Sequence, residues 1–318
     1  MKKLIVGSRK SRMAIAQTNE FIDIFLQKNP EFNRQNIEIK TITTSGDINQ
    51  KDRLDLIGGK GLFVREIEQK LLDRTIDVAV HSMKDMPTLM TPGTKISAWL
   101  PRGDHHEALI NNESKSIMEL KSNSVIGTSS IRRRSQVLNT RSDLAIKLIR
   151  GNVDTRIDKL NRKEYDALIL GYGGIKRLNF EDKVSQIFST NEILPPACQA
   201  LIGVQTIDKD NEFINLVTNA NHKYSSIIGI TERRVLEVLN ANCNSPIGIY
   251  AFIRNGQINL RVEIFSHNGK EKYLAEESGK TEEYMKLADK VGKTIIDQVG
   301  INYVKNLDIL KDDFNYTP

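Results

Sequence analysis

Val125-Ile126-Gly127-Thr128-Ser129-Ser130-Ile131-Arg132-Arg133-Arg134 passes from an apolar triplet through a turn of hydroxyl residues into a helix-compatible run headed by arginines. A short apolar run closed by glycine reads as a buried strand, and a serine just ahead of a periodic segment reads as a helix cap. The unit is therefore strand, turn, helix. It is followed by strands expected at residues 145–149 and 167–170. The same grammar appears upstream. Residues 3–6 read as a strand, and from Ser11 a helix carries Ile15, Phe21, Ile22 and Phe25 at roughly helical spacing. Residues 37–42 alternate as a second strand, Gly58-Gly59-Lys60-Gly61 opens a helix with Phe63, Ile67 and Leu71 on one face, and 76–80 form a third strand. Strands alternating with helices imply mostly parallel α/β sheets.

Pro101 and Gly103 separate the two α/β runs, Pro195 and Pro196 close the second, and beyond Cys243 the pattern changes to alternating strands (249–253, 258–264) and one helix. The expected organisation is an α/β domain at 1–100 with 200–220, a second at 101–199, and a small α+β domain at 221–318. A chain of 318 residues is long enough for two or three cores, and 39% hydrophobic with 27% charged residues is ordinary for a globular protein.

Lys and Arg exceed Asp and Glu by 46 to 40, a net charge of +6. That sign points to an acidic partner: nucleic acid, an anionic membrane face or an acidic small molecule. With one Trp and 6% aromatics, no stacking platform is interleaved with the basic residues, so nucleic acid is not expected. No apolar run approaches membrane-spanning length, and the opening Met1-Lys2-Lys3-Leu4-Ile5-Val6-Gly7 has no signal-peptide core, so a cytoplasmic location is expected. Two cysteines, Cys198 and Cys243, read as thiols rather than a disulfide framework.

Three basic turns follow strands: Arg9 with Ser11; Gly127 to Arg134 with Thr128, Ser129, Ser130, Arg132 and Arg133; and Arg150-Gly151-Asn152-Val153-Asp154-Thr155-Arg156. Backbone N–H groups at a helix start and forked guanidinium groups suit carboxylates or phosphates, and strand C-termini are where open α/β sheets bind ligands. A capped, solvated helix face is the plainer alternative. In His81-Ser82-Met83-Lys84-Asp85-Met86-Pro87 an acid and a base stand side by side at a strand end, placed for proton transfer, with a surface Lys-Asp turn as the plainer alternative. Cys243, in the loop Asn240 to Gly248, is an accessible thiol or an inert one. No metal is expected: His105 and His106 are adjacent and cannot share a helical metal face, and no Cys pair has zinc spacing.

In order and spacing these pieces resemble the hydroxymethylbilane synthase (porphobilinogen deaminase) family over nearly the whole chain. The matching residues are Arg9 and Ser11, Gly58 to Phe63, Val80 to Asp85, Gly127 to Arg133, Arg150 to Val153 with Thr155-Arg156, Lys176-Arg177-Leu178, Asn221-His222, and Cys243 with Pro246-Ile247-Gly248. The resemblance implies two α/β domains like those of periplasmic binding proteins, flanking a cleft, and a third domain carrying a cysteine thioether to a dipyrromethane cofactor. It implies that four porphobilinogen molecules are joined head to tail with loss of ammonia, and that the linear tetrapyrrole is released by water. Asp85 would stabilise the azafulvene cation and handle protons beside Lys84. Cofactor contacts would come from Thr128, Ser129, Ser130, Arg132, Arg133, Arg150, Gly151, Arg156 and Gln199 together with Lys84 and Asp85. Substrate contacts would come from Arg9, Ser11, Phe63, Arg150, Arg156 and Arg177, and the expected state is a monomer. Lys60 and Phe63 would sit in a loop over the cleft. Departures from the family pattern are Leu56, Arg12, Asn242, and Cys198 and Ala200 where glycines are usual. The other class considered is a non-enzymatic α/β clamshell that captures an anionic ligand.

Overall fold

The computed structural model describes residues 3–48, 61, 63–209, 212–241 and 245–307. Its strands are β1 (Leu4–Arg9), β2 (Ile37–Ile42), β3 (Val78–Ser82), β4 (Thr94–Trp99), β5 (Glu107–Ile110), β6 (Val125–Gly127), β7 (Ala145–Lys147), β8 (Ala167–Gly171), β9 (Val184–Phe188), β10 (Ile202–Ile207), β11 (Ile247–Arg254), β12 (Gln257–Phe265) and β13 (Lys272–Lys280). The chain divides into two compact units, Met1–Gly103 with Ala200–Ile227, and Asp104–Gln199 with Ile228–Pro318.

In the first unit a five-stranded sheet runs β2-β1-β3-β10-β4. β1 pairs in parallel with β2 and β3, whereas β10 is antiparallel to both β3 and β4. The expected mostly parallel sheet thus contains one reversed strand. The helix Arg12–Lys28 starts at Ser11, whose side chain accepts from the Ala14 N–H at 3.2 Å, one of the donors a helix start leaves open. Its Phe21, Ile22 and Phe25 are fully buried against Leu4, Val6, Val78 and Val80. Each such side chain contributes about 1.5–3 kcal/mol of burial. On the other face the helix Arg65–Leu72 buries Ile67 and Leu71 against Ile42, Ile76 and Ala79. Phe63 precedes this helix in a turn, and residues 56, 58–60 and 62 of the expected loop lie outside the described residues.

The second unit repeats the layout: β7-β6-β8-β5-β9, with β5 the reversed strand. β8 is apolar at consecutive positions because both of its faces are covered. Ala167 and Ile169 face Ile126 and Val137, while Leu168 and Leu170 face Leu160 and Ile175. The same unit holds an antiparallel sheet, β11-β12-β13, covered by the helix Tyr284–Val299 through Leu287, Ala288, Val291 and Ile295. Gly292 of that helix lies so close to Val238 that an added Cβ would come within 2.6 Å of its Cγ1. Cys243, the expected attachment point, and Asn242 lie outside the described residues.

Candidate active site

The candidate site residues expected from sequence group at strand ends, where a strand that stops leaves its terminal backbone and the following turn open to a ligand. In the first unit, β1 ends at Arg9. Its guanidinium is gripped by Asp47 (Nη2 to Oδ1 2.5 Å, Nε to Oδ2 3.3 Å), and its Cζ lies 4.1 Å from the centre of the Phe63 ring. Burial pushes the Asp47 carboxyl up, but hydrogen bonding and charge from Arg9, with Thr44 adding two contacts, hold it below the ordinary carboxylate range. Arg9, expected to meet substrate carboxylates, is therefore preorganised by a side chain that sequence spacing does not single out.

β3 ends at His81 and Ser82 and passes into the single turn Met83–Asp85. Met83 is buried, Lys84 is half-buried and Asp85 is exposed, so the strand end delivers the acid and base outward while anchoring the residue before them. Beneath the turn is a buried polar chain. His81 Nε2 is 2.9 Å from Gln205 Oε1, and Gln205 Nε2 donates to Glu68 Oε1 and Thr94 Oγ1, both at 2.7 Å. Burial lowers the His81 imidazole to about 4 despite the Gln205 contact, with the Arg9 charge pushing the same way. A neutral histidine at neutral pH thus stands at the strand end ahead of the Met83–Asp85 turn.

In the second unit, Gly127 opens the turn singled out from sequence. Thr128 Oγ1 accepts from Ser130 N–H at 3.2 Å, and Ser130 Oγ caps the helix Ile131–Thr140 by accepting from Arg133 N–H at 3.3 Å. Ser129 and Ser130 are half-buried. Arg132 and Arg133 turn inward onto one carboxylate: Glu107, fully buried, accepts from Arg132 Nη2 at 2.5 Å and from Arg133 Nη2 at 2.7 Å. Arg132 Nη1 also donates to the Leu194 carbonyl and Arg133 Nη1 to the Ile169 carbonyl, while the buried Nε of Arg133 has no hydrogen-bond partner among the described residues. Two guanidiniums on one carboxylate leave surplus positive charge.

That surplus continues at the 150–156 turn. Arg156 donates from Nε to the Gly151 carbonyl at 2.8 Å, and burial together with the charges of Arg133 and Arg150 brings it down to about 10. It stays protonated at neutral pH. Gly151 has φ +112°, a conformation open to glycine, and it lies within 2.8 Å of Thr155 Cγ2 as measured from an added Cβ. Arg177, at the end of the helix Tyr172–Arg177, is half-buried. Gln199 is 2% exposed, and its amide nitrogen would lie 2.5 Å from a Cβ on Gly171, so only glycine lets the two approach.

Cys198 is buried, with its Sγ 3.6 Å from the Gly229 carbonyl, and its N–H donates to Glu232 Oε2 at 2.5 Å. Cys198 and Ala200 have φ +60° and +62°. The positions where this chain lacks the usual glycines are left-handed, which favours glycine.

The fold defines a class: an α/β protein with two five-stranded mixed sheets, each carrying arginine and hydroxyl residues in turns at its strand ends. A family model described as "Porphobilinogen deaminase, dipyromethane cofactor binding domain" matches residues 4–215, and "Porphobilinogen deaminase, C-terminal domain" matches 227–297. The chain belongs to the porphobilinogen deaminase family. It is 38% identical over 307 residues to a porphobilinogen deaminase of Geobacillus sp. (strain WCH70), covering 94% of this chain and 98% of that one. It is 44% identical over 255 residues to one from Rickettsia bellii (strain OSU 85-389), covering 80% and 84%. Among solved structures, the second substrate binding domain of a putative amino acid ABC transporter from Streptococcus pneumoniae superposes with TM-score 0.45 at 15% identity, covering 73% of this chain and 97% of that one.

Proposed function

We propose that this chain is a hydroxymethylbilane synthase that condenses four porphobilinogen molecules and releases a linear tetrapyrrole. The observation that carries the proposal is the clustering of arginines in the second unit: buried Arg132 and Arg133 share the one carboxylate of Glu107, and the charges of Arg133 and half-buried Arg150 both bear on Arg156. Porphobilinogen carries an acetate and a propionate, so each added ring brings two carboxylates to such a region. A buried arginine cluster fits a polyanion, and bidentate guanidinium forks fit carboxylates in particular.

On this reading a dipyrromethane is attached through a thioether to Cys243, and it supplies the nucleophilic pyrrole from which the chain grows. Arg133, Arg150 and Arg156, with Thr128, Ser129, Ser130, Gly151 and Gln199, hold its carboxylates and ring edges, and Arg132 supports them through Glu107. Arg9, Ser11, Phe63 and Arg177 receive substrate. Asp85, exposed at the end of its turn with Lys84 beside it, would accept hydrogen bonds from pyrrole N–H groups and offset the positive charge left when ammonia departs. Three domains, with the third at 221–318, a monomeric state and a cytoplasmic location complete the proposal. No helix among the described residues is long and apolar enough to cross a membrane.

The test is intact mass spectrometry of the purified protein together with an assay for ammonia release from porphobilinogen. The proposal requires a mass excess of one dipyrromethane and turnover to a linear tetrapyrrole. A chain of bare sequence mass that binds porphobilinogen without releasing ammonia would instead be an anion-binding clamshell.

A further inference from the structure

We propose that Asp104, His105 and His106 form a binding site for a divalent transition-metal ion of the zinc class. The helical-face argument against these histidines does not apply, because residues 101–106 have no regular secondary structure. Neighbouring residues in an extended segment ordinarily point to opposite sides. Here they converge: the rings of His105 and His106 lie 4.2 Å apart at 30°, and Asp104 Oδ1 is 2.7 Å from His106 Nδ1. One ligand atom from each of the three residues falls within 4.8 Å of the other two.

Zinc bonds nitrogen and oxygen donors at about 2.0–2.2 Å, so donors around it stand roughly 3.3 Å apart. The Asp104–His106 pair is already near that separation, and His105 needs a shift of up to about 1.5 Å to complete the set. Its ring plane is held from the far side by Tyr250 of β11, stacked at 4.2 Å and 16°. Coordination by Nδ1 requires the ring hydrogen on Nε2, so a metal would take the place of the His106 Nδ1–Asp104 hydrogen bond. All three residues are half-buried, which leaves an entry path and room for water in the remaining positions. Two imidazoles and one carboxylate with open positions suit zinc, cobalt(II) and their neighbours rather than magnesium or calcium.

The competing explanation is an Asp turn alone, since Asp104 Oδ1 also accepts from the His106 backbone N–H at 3.1 Å. The experiment uses the untagged, chelator-treated holoprotein, titrated with zinc(II) by calorimetry and with cobalt(II) by visible absorption. One equivalent should bind, with cobalt bands of nitrogen and oxygen ligation and no sulfur charge-transfer band. Asp104→Asn, His106→Gln and His105→Phe should each weaken zinc binding about tenfold or more, because even partners one step removed from a metal are worth that much. His105→Phe keeps the ring stack against Tyr250, so it decides the matter if another variant folds poorly. Cys198→Ser should leave the affinity unchanged. No saturable binding, equal affinity in a folded His105→Phe variant, or loss of binding in Cys198→Ser alone overturns the site.

Discussion

Glu107 Oε1 lies 2.5 Å from Arg132 Nη2, and its other oxygen lies 2.7 Å from Arg133 Nη2, so one fully buried carboxylate on β5 holds two consecutive arginines of a helix. Glu107→Gln is nearly isosteric but leaves two guanidiniums facing a neutral amide. Removing one partner of a buried ion pair costs about 3–5 kcal/mol. Denaturant unfolding of the Glu107→Gln protein should show a loss of this size, and a loss below about 1 kcal/mol would mean that the carboxylate is not the anchor of the pair.

The two arginines are not equivalent, and their variants should separate. Arg132 is 4% exposed and is engaged at both terminal nitrogens, by Glu107 and by the Leu194 carbonyl. Arg132→Leu should therefore act first on stability. Arg150 is half-buried beside Arg156, so Arg150→Leu should fold normally and fail in cofactor retention or chain growth. Thermal unfolding and intact mass, measured side by side, distinguish the two. Equal unfolding temperatures and full cofactor mass in both variants would reduce these residues to ordinary charge.

Asp85 is exposed, so Asp85→Asn should change stability by less than about 0.5 kcal/mol, the usual range for surface substitutions. Its effect on turnover should be far larger, because an amide cannot offset the developing cation or exchange a proton, roles worth about 10²- to 10⁴-fold. Ammonia release at the wild-type rate by the folded variant would remove Asp85 from the chemistry.

The pH dependence of stability has a buried source in His81, whose imidazole is lowered to about 4 from an ordinary value of 6.5, chiefly by burial. Its folded-state value is below its unfolded one, so its contribution is complete above pH 6.5 and disappears as the pH falls through that window toward 4. The shift corresponds to about 3 kcal/mol. His81→Gln, which keeps a polar group facing Gln205, should flatten the stability profile between those two pH values. An unchanged profile would show that the ring is not held neutral.

Ala200 has φ +62°, and left-handed backbone costs an L-residue roughly 1–2 kcal/mol, partly offset in glycine by unfolded-state entropy. Ala200→Gly should stabilise the protein by about 0.5–1 kcal/mol net. A destabilised variant would show that the conformation carries no strain.

Strands with unbroken apolar runs were legible from sequence, because burial on both faces leaves no alternative composition: β1, β6 and β8 stand within a few residues of expectation. β13 was not, since Ala275 is its one buried residue among Lys272–Lys280 and its pairing comes wholly from β12. β5 was hidden by Glu107, a charge inside a four-residue buried strand that makes sense only once Arg132 and Arg133 are in place. The same holds at the candidate site. Turns carrying arginine and serine announce themselves, but Asp47 and Glu107, which orient those arginines, lie 38 and 25 residues from Arg9 and Arg132 and follow no local spacing. Gly171 and Gln199 meet only through the fold.

The last prediction sets the two cysteines against each other. Cys198 is 1% exposed, packed near Gly229, with its backbone N–H tied to Glu232, so its thiol is enclosed. Cys243 lies outside the described residues, and its assignment as the attachment point belongs to the proposed function, supported by the turn-rich sequence around it. A serine hydroxyl is a far weaker nucleophile than a thiolate and should not form a stable link to a pyrrole. Cys243→Ser should thus be soluble but lack the dipyrromethane mass, the pyrrole colour reaction and turnover, whereas Cys198→Ser retains all three. The cofactor-free protein should also unfold at lower temperature, because buried arginines then face one another without the carboxylates that offset them, and a group bound only to the native state stabilises it. Cofactor mass that persists in Cys243→Ser, or that disappears only in Cys198→Ser, would move the attachment point to the buried thiol.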